Sequence, residues 1–137
     1  MYNINFKDKL LCSACYLGAF IPLFAWFPLI WLIVSNLRKV YIKEFIRYHC
    51  YQAILFNMLI FFLPSLFRLL TDFLSNLLDL MVVFGNTIVL IQALQGFVLK
   101  VYSFMVPVIT LYAIIWTFRG KYTYMPPISQ AVNSLLR

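Results

Sequence analysis

From Leu10 to Val34 the chain runs for twenty-five residues without a charged side chain. An α-helix crosses a bilayer with about 20 mostly apolar residues, so a run of this length and purity points to a membrane before any other setting. Composition agrees: of 137 residues 64% are hydrophobic, 19% aromatic and 11% charged, where a soluble domain is about 45–50% apolar and about 25% charged. Fifteen acidic and basic groups are too few to keep 14 Phe, 9 Tyr and 3 Trp dispersed in water. Three or four crossings with short loops use up this length, which leaves no room for a soluble catalytic domain. No small-residue cleavage pattern follows the first run, so it reads as a retained transmembrane helix rather than a signal peptide.

The apolar segments are about 10–34, 48–63, 82–99 and 102–118, with Pro22 and Pro28 expected to bend the first crossing. Between the first two lies a loop with Arg38, Lys39, Lys43 and Arg47 against Glu44, a net +3 that places it on the cytoplasmic or equivalent side. Over 65–81 apolar and polar residues alternate at spacings of three and four, which predicts an amphipathic helix in the membrane interface. Lys100 and Val101 make a poor hairpin between two complete crossings. Either the third run ends before Gln95, giving four crossings, or Gly85 to Lys100 is partly interfacial, giving three. Gly120 reads as a helix stop, Pro126 and Pro127 as an extended link, and the remaining tail as one short helix. The expected fold is all-α: a small multi-pass helical membrane protein with three or four transmembrane helices and one amphipathic interfacial helix, a single integral membrane domain over 1–137.

Little here points to chemistry. The only acids are Asp8, Glu44, Asp72 and Asp79, and the last two sit on the polar face of the amphipathic segment as solvated interface residues, so no enzyme is expected. Cys12 and Cys15 form CSAC without a second such pair, and His49 is the only histidine. If 10–34 were one crossing, those cysteines would lie at its far end from His49 and Cys50, so neither a metal nor a cofactor is expected and the three thiols are read as free. The net charge of +7 sits beside apolar segments, which favours anionic lipid and topology over nucleic acid. Asn57, Asn86 and Gln92 are neutral polar residues inside apolar runs, suited to interhelical contacts or to lining a weakly polar passage. The densest cluster is FIRYHCYQA, residues 45–53, where Arg47, His49 and Gln52 meet the head of the second crossing as interface anchors.

Phe45, Arg47, Tyr48, His49, Gln52 and Ala53 resemble the aromatic, Arg, aromatic, His or Asn, then Gln-Ala motif of the twenty-kilodalton subunit family of the chloroplast inner-envelope translocon and its small bacterial relatives. Gly120, Lys121, Tyr122, Pro126, Pro127 and Ile128 resemble the family's closing pattern of a Gly after the last membrane helix, then a Pro and an aliphatic residue. The two motifs bracket residues 45–128. The resemblance implies a non-enzymatic membrane subunit of a preprotein-import complex, in a plastid inner envelope or a bacterial plasma membrane. Its implied partners are membrane lipids, other translocon subunits or a homo-oligomer, and precursor polypeptides. Two other readings use the same residues: a small membrane scaffold binding lipid and a partner protein, and an oligomeric solute transporter or channel.

Overall fold

The computed structural model describes residues 4–79 and 85–136. Among them it is all-helical: α1 (Phe6–Tyr16), two short 3-10 turns (Leu17–Ala19 and Pro22–Trp26), α2 (Phe27–Leu37), α3 (Glu44–Asp79), α4 (Gly85–Phe118) and α5 (Pro126–Leu136). The helices α3 and α4 are long and apolar enough to cross a membrane. The chain forms two compact units, one of residues up to Met58 together with those from Pro107 onward, the other of Leu59–Val106.

In the first unit the run 10–34 is not the single tilted crossing its hydropathy suggests. Ile21 precedes Pro22 and is held extended at φ −124°, ψ 105°, as the clash between a proline ring and the preceding residue requires. Pro28 lies in the first turn of α2, where a missing N–H costs nothing. Both prolines therefore stop and restart the helix instead of bending it. Contacts with α3 fix the path. Lys43 Nζ lies 2.6 Å from Asp8 Oδ2, Cys15 Sγ lies 3.7 Å from Cys50 Sγ, and Asn57 Nδ2 donates to the Ala25 carbonyl at 3.4 Å. So α1 runs alongside α3, the chain turns near Ala25, and α2 returns to within six residues of where α3 begins. Cys12 and Cys15 thus lie beside the head of α3, and the expectation that they sit at the far end of the first run from His49 and Cys50 is overturned. Each arm of the hairpin has 11 residues, about 16 Å of helix, roughly half the hydrocarbon thickness of a bilayer.

Gly18 lets the hairpin close. A Cβ there would lie 2.5 Å from Ala25 Cα and 2.6 Å from Asn57 Nδ2, so backbone meets backbone at this turn. Both long returns end in the same cap. After α2, Lys39 N–H donates to Asn36 O and Val40 N–H to Ser35 O, with Lys39 at φ 52°. After α4, Gly120 N–H donates to Thr117 O and Lys121 N–H to Trp116 O, with Gly120 at φ 70°. These are Schellman caps, whose left-handed residue is normally glycine. A left-handed non-glycine residue costs about 1–2 kcal/mol, part of which glycine's freedom in the unfolded chain offsets. Lys39→Gly is accordingly expected to stabilise the protein by about 0.5–1 kcal/mol, read by thermal unfolding in detergent.

At the start of α1 the Asn5 N–H donates to Asp8 Oδ2 at 3.1 Å, and Lys43 donates to the same carboxylate. Burial pushes the Asp8 carboxyl up, but the hydrogen bond and charge of Lys43 and the Asn5 amide outweigh it and hold Asp8 below the usual carboxylate range. A carboxyl depressed in the folded state stabilises it above the unfolded pKa and loses that contribution as pH falls through the folded value. The pair is partly solvated, with side chains 33% and 16% exposed, so its worth is about 0.5 kcal/mol. The protection of amides in the first turn of α1, relative to their intrinsic exchange rate at each pH, should therefore fall about twofold as pH drops below about 4, and Asp8→Asn should show the lower protection at every pH.

The second unit is a helical hairpin. Tyr102 Oη donates to the Leu59 carbonyl at 3.3 Å and Gln95 Nε2 to Asp72 Oδ1 at 3.5 Å, so the first part of α4 runs back along the second part of α3. The amphipathic helix expected over 65–81 is not a separate element but the continuation of α3 to Asp79; residues 80 and 81 lie outside the described residues, as do 82–84 of the expected third run. Pro64 does not end the helix. Beside it, Ser65 Oγ donates to the Phe61 carbonyl at 2.9 Å, while the carbonyl that Pro64 leaves without an N–H is that of Ile60. The half-buried residues Phe67, Thr71, Ser75 and Leu78 form one stripe that cuts across the apolar and polar sets. Leu69, Leu70, Phe73, Phe97 and Phe104 are exposed, an exterior suited to hydrocarbon rather than water. Lys100 lies within α4 and not in a turn.

Candidate functional site: a buried polar centre

The apolar first unit encloses a polar centre. The head of α3 contributes Tyr48, His49 and Gln52, α1 ends on Tyr16, α4 contributes Thr117, and the tail contributes Thr123 and Ser129; all are buried. Its hub is the Thr123 carbonyl, which accepts from Tyr48 Oη at 3.1 Å, Gln52 Nε2 at 3.0 Å and Ser129 Oγ at 3.4 Å. Gln52 Nε2 also donates to Ser129 Oγ at 3.2 Å, while its Oε1 accepts from Tyr16 Oη at 2.9 Å. Gln52 thus ties α1, α3 and the tail into one network. The Ser129 hydroxyl accepts the Met125 N–H at 2.8 Å, which satisfies the backbone just ahead of α5.

His49 sits between two hydroxyls whose protons are already used. Tyr16 gives its proton to Gln52, and Thr117 donates to the Ala113 carbonyl at 2.7 Å. His49 Nδ1 faces both oxygens, at 3.0 Å and 3.5 Å. Among the described residues Nε2 has no hydrogen-bond partner. Four aromatic rings surround the imidazole: Phe45 at 4.5 Å, Tyr48 at 5.5 Å and Tyr16 at 6.0 Å edge-on, and Tyr122 stacked at 6.1 Å. Tyr122, in the tail, has its phenol held above its usual range by burial, with Glu44 and Tyr48 adding to it.

The residues singled out from sequence fall into three groups. His49 and Gln52 are central. Gly120 caps α4, and Pro127 stands exposed in the first turn of α5. The two prolines therefore begin a helix rather than hold an extended link, since the first N–H groups of a helix need no intrahelical acceptor. Arg47 is exposed on α3 and takes no part in the network. Asn57 is buried against the hairpin turn, whereas Asn86 and Gln92 are exposed on α4 within the second unit. Tyr16, Thr117, Thr123 and Ser129 carry no signal from sequence spacing, because 36 residues part Tyr16 from Gln52 and 71 part Gln52 from Thr123. The three cysteines are buried and free, and among the described residues no cluster of three His, Cys, Asp or Glu has metal-binding geometry.

The fold and this centre define an all-α chain with two long apolar helices, consistent with a small helical membrane protein. Comparison with protein-family models, with curated proteins and with solved structures gives no match.

Proposed function

We propose that the chain is a non-enzymatic membrane subunit of a protein-translocation complex, in a plastid inner envelope or bacterial plasma membrane, as its resemblance to the twenty-kilodalton translocon subunit family implies. The observation that carries the reading is that the two motifs behind the resemblance meet: Gln52 of the first donates to Thr123 and Ser129 around the second. They act as one structural unit, with the first motif holding the chain that follows the last membrane helix. In this reading α3 and α4 each cross the bilayer, and α1 with α2 dips into one leaflet and returns. A passage lined by Asn86 and Gln92 would then form between chains, since both side chains face outward.

The test is photocrosslinking from positions 86 and 92 in native membranes while an arrested precursor is being imported. Adducts that appear only with the precursor are the expected result; adducts to lipid alone reject the role. One observation favours a second reading, a membrane scaffold. Tyr16, Tyr48, Gln52 and Ser129 find their partners within the chain, so the centre fixes a shape and does not need a ligand to fill it. Co-purification of a single partner protein with no precursor adduct would choose the scaffold.

A further inference from the structure

The first unit gathers charge at one end. Asp8 at the start of α1 pairs with Lys43 just before α3, and a Cβ at Gly120, after α4, would lie 3.2 Å from Lys9 Cε. Phe45 of α3 stacks edge-on with Tyr122 of the tail at 5.6 Å, and only six residues lie between the end of α2 and the start of α3. The starts of α1 and α3 and the ends of α2 and α4 therefore share one face. Lys7 and Lys9 come to it from α1, Arg38 and Lys39 from the α2 cap. Lys43 and Arg47 flank the start of α3, and Arg119 and Lys121 follow α4. Eight of the eleven basic residues thus stand here against only Asp8 and Glu44 among the acids, which places most of the net +7 on one face.

Two further features say what such a face meets. Exposed aromatic side chains stand among the cations: Tyr41 is 80% exposed, Phe6 70% and Tyr124 62%. Aromatic rings mixed with Lys and Arg at the ends of apolar helices mark the headgroup level of a bilayer. Lys121 also holds its ammonium over the Trp116 ring at 5.3 Å, a cation–π contact that keeps a cation at the end of the apolar helix. A nucleic-acid surface would call for cations away from apolar helices. Here they rim the apolar hairpin directly.

We infer that this face of the first unit binds the headgroups of anionic phospholipids. The cations of the α2 and α4 caps, with Arg47, contact lipid phosphates, and the short α1–α2 hairpin sits in the acyl region below them. The inference rests on the membrane reading, which fails separately if alkaline carbonate extracts the protein from its membranes.

The experiment uses the full chain, purified in mild detergent and stripped of lipid, with native mass spectrometry during titration with phosphatidylglycerol or phosphatidylcholine. Phosphatidylglycerol should bind at least about tenfold tighter, since each basic residue near an anionic surface contributes roughly fivefold, and the preference should shrink as salt rises. Arg38→Gln with Arg47→Gln and Arg119→Gln should remove most of the preference, while Arg68→Gln with Lys100→Gln, both in the second unit, should keep it. Single changes at Arg47 and Arg119, both exposed, serve if the triple variant does not fold, and each should cost several-fold. Equal binding of the two lipids, or a preference unchanged in the Arg47 and Arg119 variants, overturns the inference. Displacement of the lipid by millimolar inorganic phosphate would assign the face to free phosphate instead, and tight retention of RNA or an acidic protein in preference to phosphatidylglycerol would also overturn it.

Discussion

Gly18→Ala is expected to destabilise the first unit by about 3 kcal/mol, read by thermal unfolding in detergent. The added methyl would stand 2.5 Å from Ala25 Cα and 2.8 Å from Ala25 N. Both are backbone atoms, so no rotamer change relieves the overlap; the hairpin must open. The same opening withdraws Ala25 from Asn57, whose Nδ2 donates to the Ala25 carbonyl at 3.4 Å and whose Oδ1 has no partner among the described residues. A buried amide left without bonds adds to the cost. Ala19→Ser, one residue on and half-buried, serves as the control that should unfold near the parent. A Gly18→Ala protein as stable as the parent would mean that the hairpin does not close as described.

Gln52→Leu is the second large effect. The leucine nearly fills the space but removes hydrogen bonds to Tyr16, Thr123 and Ser129. Each partner keeps another bond: Tyr16 to His49, Thr123 to Tyr48, Ser129 to the Met125 amide. The loss is therefore that of the bonds themselves, about 2–3 kcal/mol in all, and it falls on the attachment of the tail. Trypsin should cut after Lys121 about 30-fold faster or more in the variant, while sites in the second unit, such as Lys100, keep the parent's rate. Gln52→Asn keeps the chemistry on a shorter arm and should fall between. Equal cutting after Lys121 and Lys100 would show a general loosening and not a released tail.

Much of the fold is legible in the sequence because apolar runs and their spacing depend on local physics. The uncharged stretches after Tyr48 and Lys100 become helices long enough to cross a membrane. Gly120 ends α4 where a left-handed cap is needed. What is not legible depends on contacts between distant residues. The run 10–34 has the length of one crossing, and hydropathy cannot distinguish a crossing from a hairpin of two short arms. The distinguishing signals were local and present: Pro22 six residues before Pro28, with Gly18 ahead of them, spaced to stop a helix, turn it and restart it. A reading by length alone passes over that punctuation and puts Cys12 and Cys15 at the wrong end of the run. Lys100 and Val101 looked too short for a turn, and in the structure there is no turn there. Of the polar centre, His49 and Gln52 stand out because a histidine and an amide at the head of an apolar helix are costly unless used, whereas Arg47 beside them is exposed and outside the network. Thr123 and Ser129 do not, since the hub is a backbone carbonyl and any residue supplies one.

The Thr123 carbonyl has a consequence for how the chain is made. Gln52 and Tyr48 are synthesised some 71 residues before the acceptor they share. During translation their polar ends stand in an apolar setting with nothing in the tail to bond, and Tyr16 waits 36 residues for Gln52. The first unit therefore cannot close until Thr123 itself has been made. A transcript truncated before Thr123 would still carry the apolar helices and could enter a membrane, yet it would display unpaired amide and hydroxyl groups there. Those groups stay unpaired until Thr123 arrives, so closure of the first unit turns on a single carbonyl oxygen.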